Sequence, residues 1–224
     1  MATWLVRATA QGTLQDFVIE NGIAAIGWGE LGDFNQYNTR DELKAGLEKV
    51  YPGSPPGRIA NYAGQLWAFY QRIKEGDLIV LPLKGKNAIA IGRCTGPYKW
   101  KPDNPTEGRQ VRPVDWIQPS IPRNQFKQDL LDSLGAFMTV CRIQRNKADE
   151  RIEAIAKGEA DPGFAQLKAP PGSAKDSVPA EESDDISDVD APTDYEESLK
   201  DQIRNHIEAE FKDHALVDLV QAVL

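Results

Sequence analysis

Two tryptophans lie in segments whose composition is typical of loops. Trp28 is in the glycine-rich run IGWGELG, and Trp100 is in the run GPYKWKP, between Lys99 and Lys101. A large aromatic side chain in a polar loop is costly to leave in water unless it packs against the domain or stacks on a ligand. The two segments therefore indicate either an aromatic ligand site or packing within the loops, and the sequence leaves both open.

The run from Gly27 to Gly32 matches the GxGxxG pattern and follows a predicted strand. In dinucleotide-binding proteins this pattern opens a helix whose N-terminus holds the pyrophosphate, and an acidic residue follows about 20 residues later. Here the next predicted helix start is Thr39, and no second strand ends in an acidic residue at that distance. We therefore expect these glycines to shape a loop that exposes Trp28, with a nucleotide-binding enzyme as an alternative.

The residue types used in catalysis are sparse in this chain. His206 and His214 both lie near the C-terminal end, so the preceding residues have no histidine for a triad, a zinc motif or a general base. The run ELK at residues 42–44 has the spacing of a metal-dependent nuclease, but it falls in a predicted helix rather than on a strand. Cys94 and Cys141 are too few for a four-ligand zinc site and lie in apolar runs, which predicts buried thiols. We expect no catalytic residue, no metal and no cofactor.

Charge divides the chain into two parts. The 224 residues have a net charge of −8, but residues 1–157 contain 21 Lys and Arg residues against 17 Asp and Glu residues, a net charge of +4. Residues 158–224 contain 5 against 17, a net charge of −12. A net charge of +4 permits contact with nucleic acid without requiring it.

Strand and helix patterns before residue 158 follow one another in an α+β order. The predicted strands are Thr3–Thr9, Ile23–Trp28, Leu78–Pro82, Ala88–Cys94, Gln110–Ile117 and Ala136–Ile143. The predicted helices are Thr39–Val50, Arg58–Ile73, Asn124–Leu134 and Asn146–Lys157. Because a short turn at residues 84–87 joins two of the strands, we expect a small, curved, mostly antiparallel sheet or barrel with flanking helices.

The residues after 158 have a different composition. Residues 159–194 are rich in Pro, Ser, Ala and acidic residues, which predicts a disordered acidic linker. Residues 195–224 carry apolar residues at helical spacing, which predicts a C-terminal helix. No run approaches 18 apolar residues, and the start Met-Ala-Thr-Trp lacks a basic leader. We therefore expect a cytoplasmic protein that does not span a membrane.

Three segments occur in a recognisable order, namely the run IGW at residues 26–28, the hairpin GDLIVLP with AIAIG at residues 76–92, and the run VRPVDWI with IPRN at residues 111–124. Together they resemble the EVE/YTH group of the PUA-like superfamily. In that family a small curved sheet with flanking helices holds a modified base in an aromatic cage. The resemblance covers about residues 1–150.

The resemblance implies which residues form the cage. It places one cage wall at Trp28 and further walls at Trp100 and Tyr98, whereas Trp116 is structural. This chain differs from the family by a long helical insertion at residues 39–74, so the third wall is either Trp67 or Tyr62.

Polar residues near the cage residues are candidates for the remaining contacts with a nucleotide. Asp33 and Asn35 follow Trp28 closely and are candidates to hydrogen-bond the Watson–Crick edge of a flipped base. Flipping costs a few kcal/mol, and stacking on aromatic side chains returns about 1–3 kcal/mol per base. Basic residues around the expected mouth are candidates for phosphate contacts. They are Arg93, Lys99, Lys101, Arg109 and Arg112.

The last run of the chain, FKDHALVDLVQAVL at residues 211–224, resembles the first helix of an Mrr-type restriction endonuclease domain. The catalytic residues of such a domain would lie further on, so this chain is expected not to be an enzyme. The resemblance implies a type IV, modification-dependent restriction enzyme, with a reader domain at residues 1–158, the linker at 159–194 and the start of the nuclease domain at 195–224.

The implied partners are the downstream nuclease domain and duplex DNA that carries a methylated or hydroxymethylated base such as 5-methylcytosine. The alternatives are an RNA-binding PUA-like domain, the nucleotide-binding enzyme considered above, and an adaptor that binds a partner through its acidic tail.

Overall fold

The computed structural model describes residues 1–9, 11–164 and 195–210. Most of the predicted linker, residues 165–194, lies outside the described residues, and so does the segment 211–224 that carries the resemblance to a nuclease domain. The described chain contains seven strands, six α-helices and several short turns of other helical type. The strands are β1 (Thr3–Val6), β2 (Ile23–Ile26), β3 (Leu78–Leu83), β4 (Ala88–Cys94), β5 (Lys99–Trp100), β6 (Gln110–Pro122) and β7 (Val140–Arg142).

The helices lie around the sheet and include the four predicted before residue 158. They are α1 (Gln15–Glu20), α2 (Arg40–Val50), α3 (Pro56–Trp67), α4 (Gln128–Leu134), α5 (Ala148–Ala156) and α6 (Tyr195–Glu210). The first of the two helices in the segment 39–74 starts as predicted, because the Thr39 hydroxyl accepts a hydrogen bond from the Glu42 backbone N–H at 3.1 Å. The second was predicted to run to Ile73, but it ends at Trp67 and continues as a π-helical turn, Ala68–Arg72.

Six strands form one curled half-barrel sheet in the order β2-β6-β4-β3-β1-β7, and the short β5 pairs with β6. Among the pairings in the described chain, β1 with β3 is parallel and the others are antiparallel. The sheet bends where β4 meets β6, because the register shifts twice there and Gly92 leaves room for the crossing strand. A Cβ on Gly92 would lie 2.8 Å from the Asp115 carbonyl oxygen. The predicted α+β class, with a curved and mostly antiparallel sheet, is confirmed.

The two faces of the sheet bury separate groups of apolar residues. Consecutive residues of β1 show the alternation, because Trp4 packs with α2 and α3 whereas Leu5 packs with α4 and α5. The Trp4 indole N–H donates to the Asp77 carboxylate at 3.1 Å. Cys94 and Cys141 are buried thiols, one in each group, as predicted.

A buried ion-pair cluster extends the folded region beyond the predicted linker start at residue 159. The Arg151 guanidinium, which is fully buried, donates to Asp161 at 2.7 and 2.8 Å and to Asp129 at 2.7 and 2.9 Å. Asp161 also accepts hydrogen bonds from the backbone N–H groups of Lys127 and Gly163. The linker prediction is therefore wrong for residues 159–164. A prediction of disorder from composition takes no account of a specific buried ion pair such as this one.

The C-terminal helix predicted from residue 195 begins at Tyr195 and contacts the sheet domain. Asp201 of α6 forms a buried, two-bonded ion pair with Arg123. The Ser198 hydroxyl donates to the Asp132 carboxylate at 2.8 Å. No helix in the described ranges is long and apolar enough to cross a membrane.

The Arg151 cluster predicts a specific loss of stability in acid. Hydrogen bonds from Arg151 hold the pKa of Asp129 below its ordinary value, and they do the same for Asp161 although burial alone would raise the pKa of that carboxyl. Stability from a carboxyl with a lowered pKa is present above about pH 4 and is lost as the pH falls through the lowered value. We expect Asp161→Asn to lose about 3 kcal/mol at pH 7 and to show a shallower acid dependence in urea unfolding. The matched control is Asp103→Asn in an exposed loop, and equal losses in the two variants would contradict a structural role for the cluster.

Candidate functional site

Trp28 lies in a strained turn directly after β2. Its backbone is left-handed, with φ 63° and ψ 33°, a conformation that is unusual for a large side chain. The turn continues as a short 3-10 helix, Gly29–Leu31, and the half-buried Trp28 ring meets the Tyr62 ring edge-on at 5.4 Å. The predicted loop that presents Trp28 is therefore present, with its ring partly packed and partly open to solvent.

Three half-buried rings, Trp28, Tyr51 and Tyr62, form a group that we call the aromatic wall. Tyr62 lies on α3, Tyr51 follows α2, and their ring centres are 6.2 Å apart at 66°. The helical segment at residues 39–74 thus supplies two of the three rings. Of the two residues considered for the third wall, Tyr62 contacts Trp28, whereas Trp67 packs edge-on against Tyr70 at 5.7 Å.

The side-chain amide of Gln110 joins the loops around the wall. Gln110 is fully buried at the start of β6, and its Nε2 donates to the carbonyl oxygens of Trp28 at 3.2 Å and Gly32 at 2.9 Å. Its Oε1 accepts from the Tyr98 hydroxyl at 2.5 Å. The amide thus fixes the carbonyl of the strained Trp28 residue and the position of Tyr98 together.

Tyr98 is placed differently from the prediction. Its ring is buried and stacks on Phe34 at 5.4 Å with an interplanar angle of 8°. Its hydroxyl accepts from the Phe34 backbone N–H at 3.0 Å and lies 3.2 Å from the Asp33 carboxylate. Burial raises the pKa of Tyr98 well above its ordinary value, so the hydroxyl keeps its proton and remains a donor. Tyr98 is thus a core residue behind the site, not an open wall of a cage.

The GxGxxG run is explained by packing within the chain. A Cβ on Gly29 would lie 2.4 Å from the Thr106 carbonyl oxygen, so the neighbouring loop occupies the space where a pyrophosphate would approach. No α-helix opens at Gly32, which has a positive φ of 69° and ends the 3-10 turn. These glycines serve the turn that carries Trp28.

A cavity of about 360 Å³, which we call the polar cavity, lies where the π-helical turn meets the loop before β5. Its lining residues are Asn35, Tyr70, Gln71, Ile73, Lys74, Glu75, Pro97, Tyr98 and Arg112. The Tyr70 hydroxyl donates to the Asn35 side-chain oxygen at 3.3 Å across one side of the cavity. The structure thus brings three predicted site residues together here, with Tyr70 and Lys74 as residues that sequence reasoning missed.

The sequence analysis predicted that Arg112 lies exposed at the mouth of the site, but the structure buries it. Its guanidinium donates to the carbonyl oxygens of Phe69 at 2.5 Å, Tyr70 at 2.7 Å and Gly96 at 3.2 Å. Two of these carbonyls belong to the π-helical turn, where the wider i→i−5 spacing leaves acceptors without their usual partners. Arg112 thus holds the turn that presents Tyr70 to the polar cavity.

The other predicted basic residues divide into two groups. Arg93 forms an ion pair with Glu153 of α5 at 2.7 Å and donates to the Gly76 carbonyl at 2.9 Å, so it belongs to the α5 contact rather than to a phosphate site. Lys99 and Lys101 are exposed on either side of Trp100.

The remaining predicted residues lie around the start of β6. Arg109 donates to the Asn104 carbonyl at 3.3 Å, and the Lys101 backbone N–H donates to the Arg109 carbonyl at 2.9 Å. Trp100 is half-buried and pairs with Gln110 across β5 and β6. Asp33 accepts from the Asn35 backbone N–H at 2.9 Å and so caps the following turn.

These features define a mixed α/β domain with a curled half-barrel sheet, an aromatic wall and a polar cavity. The chain belongs to the family described as Domain of unknown function (DUF8426), whose model matches residues 4–144. The match includes the aromatic wall, Gln110 and the polar cavity, whereas α5 and α6 lie beyond it. A comparison with curated proteins finds no match.

The Gln110 contacts predict a pH-dependent defect in Gln110→Glu. A carboxylate accepts from Tyr98 but cannot donate to the carbonyls of Trp28 and Gly32, and burial raises the pKa of a carboxyl. Because the unfolded chain then releases its proton at a lower pH than the folded chain, we expect the stability deficit relative to wild type to grow as the pH rises above about 4.3. Urea unfolding between pH 4 and 8 measures this deficit. The control is Gln11→Glu at an exposed position, and a deficit that does not change with pH would contradict the assignment.

Proposed function

We propose that this domain binds a modified base of duplex DNA, flipped out of the helix and stacked on the aromatic wall. The main support for the proposal is the conformation of Trp28. This large aromatic residue is held in a left-handed backbone conformation with its ring only half buried. Strained backbone at a defined position costs about 1–3 kcal/mol and recurs at binding sites, where the surrounding structure maintains it. Here the Gln110 amide maintains it through the Trp28 carbonyl.

The energetics of base binding fit rings of this kind. A flipped base loses stacking worth a few kcal/mol, and each aromatic contact returns about 1–3 kcal/mol. Tyr62 meets Trp28 at 70°, so a base that stacks on one ring lies nearly perpendicular to the other. A methyl group adds under about 1 kcal/mol by burial, so selectivity also needs a polar group that the wrong base leaves unpaired. Asp33, on the loop after Trp28, remains a candidate for that contact, whereas Asn35 lines the polar cavity.

The β5 region supports contact with a nucleic-acid backbone. Lys99 and Lys101 are exposed on either side of the half-buried Trp100, and Arg109 lies on the neighbouring strand segment. Such cations position a duplex without reading its sequence. We further propose that the domain is a non-enzymatic reader in a cytoplasmic type IV restriction system, with a downstream nuclease domain as its partner.

Fluorescence anisotropy with four matched duplexes tests the base site. The duplexes carry cytosine, 5-methylcytosine, 5-hydroxymethylcytosine or N6-methyladenine at one position. We expect tighter binding of one modified duplex, and we expect Trp28→Ala and Tyr62→Leu to weaken that binding by roughly 5- to 150-fold, which corresponds to the loss of one stacking contact. Trp100→Ala tests whether Trp100, which the resemblance also places in the cage, belongs to the site.

The controls separate base recognition from general affinity. Phe137→Ala removes a ring that is 71% exposed in another loop, and it should leave every affinity unchanged. A Lys99→Ala, Lys101→Ala double variant should weaken binding to all four duplexes alike and lower the salt dependence. Equal binding of the four duplexes, unaffected by the Trp28 change, would refute the proposal. If the domain binds a modified RNA strand more tightly than the modified duplexes, the ligand is RNA rather than DNA.

A further inference from the structure

Arg112 is only 3% exposed, yet its guanidinium forms no direct ion pair with a carboxylate among the described residues. The buried Asp77 carboxylate acts on it from a longer distance and partly offsets the lowering of its pKa by burial. The other two buried arginines of the described residues do form direct ion pairs. Arg151 pairs with Asp129 and Asp161, and Arg123 pairs with Asp201. Because a buried charge is costly unless it is paired, Arg112 differs from the other two in having no anionic group in direct contact.

The carbonyl oxygens around Arg112 supply only part of the negative charge of a carboxylate. Those of Phe69 and Tyr70 lie in the π-helical turn that continues α3, and the C-terminal end of a helix carries the equivalent of about half a negative charge. A guanidinium has five N–H groups, and the three carbonyls use three of them. The Cys94 thiol is a weak partner at 4.0 Å. Burial accordingly lowers the pKa of Arg112.

Arg112 lines the polar cavity, so an external group has space beside it. Lys74 and Asn35, whose side chains carry N–H donors, line the same cavity, and so does Tyr70, whose hydroxyl proton is donated to the Asn35 side-chain oxygen. The Lys74 ammonium donates to the Gln71 carbonyl at 2.6 Å and retains two further N–H donors. Glu75 also lines the cavity, but it is exposed, so water screens its repulsion of an anion.

We infer that the polar cavity binds a phosphate group against the guanidinium of Arg112, with Lys74 and Asn35 as additional donors. A phosphate oxygen accepts charge-assisted hydrogen bonds from several directions, which suits donors that converge from three segments of the chain. The phosphate is either free, as in a mononucleotide, or part of the strand whose base contacts the aromatic wall. The second source rests on the proposed function, whereas the first does not.

Thermal unfolding with inorganic phosphate tests the site directly. We expect sodium phosphate to raise the Tm saturably, by about 5–10 °C at 100 times its Kd, relative to sodium chloride at matched ionic strength. Arg112→Met should abolish this rise, and Lys74→Met should weaken the phosphate Kd several-fold. Lys49→Met, at an exposed lysine on α2, is the matched control and should behave as wild type. If Arg112→Met does not fold, Lys74→Met combined with Asn35→Ala takes its place.

Two results would overturn the inference. One is a Tm that follows ionic strength alone, and the other is a phosphate effect that persists in Arg112→Met or in the replacement double variant. Titration with a nucleoside 5′-monophosphate and the matching nucleoside then separates the sources, because only the former should bind if the phosphate is free. Selectivity for a modified duplex without a phosphate effect would support the proposed function and contradict the phosphate site. A phosphate effect without duplex selectivity would support the phosphate site and contradict the proposed function.

Discussion

The hydrogen bonds of the Gln110 side chain are the constraint on which the candidate site depends. One amide, with no exposure to solvent, satisfies two carbonyls after β2 and the hydroxyl of Tyr98 before β5. The Trp28 carbonyl also accepts from the Leu31 backbone N–H at 3.1 Å, and the Tyr98 hydroxyl also accepts from the Phe34 backbone N–H at 3.0 Å, so Gln110 ties together groups that already have a local partner. Gln110 reaches all of them because it pairs with Ile26 of β2 on one side and Trp100 of β5 on the other. The site thus depends on the register of three strand segments as much as on its own loops.

Arg112 extends the same arrangement by two residues along β6. Alternate residues of a strand point to the same face, so the amide and the guanidinium both reach the side covered by α2 and α3. Gln110 fixes the turn of Trp28, and Arg112 fixes the π-helical turn that presents Tyr70. The first residues of one strand therefore position both the aromatic wall and the polar cavity. A shift of this strand by one residue would turn both side chains to the opposite face and dismantle both sites.

The features that could be predicted from the sequence are those encoded locally. The cap at Thr39, the β3–β4 hairpin and the loop that presents Trp28 all follow from residues close together in the chain. Tyr51 and Tyr62 were harder to identify as a wall with Trp28, because their contacts depend on how α2 and α3 pack against the sheet. Tyr98 and Arg112 were expected to be accessible, since an aromatic residue in a polar loop and an arginine on a strand are common surface residues. Their burial follows from partners far away in sequence, such as Phe69 for Arg112, and no local pattern contains that information.

The aromatic wall and the polar cavity would contribute differently to recognition of one nucleotide. A phosphate is the same in every nucleotide, so a buried cation such as Arg112 can add affinity and orientation but cannot distinguish one base from another. Selectivity would have to arise at Trp28 and Tyr62, where the shape and the polar edge of the base are in contact with the protein. Because Gln110 and Arg112 lie on the same strand face, a ligand held at the cavity would be oriented relative to the wall by the rigid sheet rather than by a mobile loop. That arrangement would reduce the entropy lost on binding a base, so that a domain with a net charge of only +4 over residues 1–157 would need no strongly basic surface to bind one.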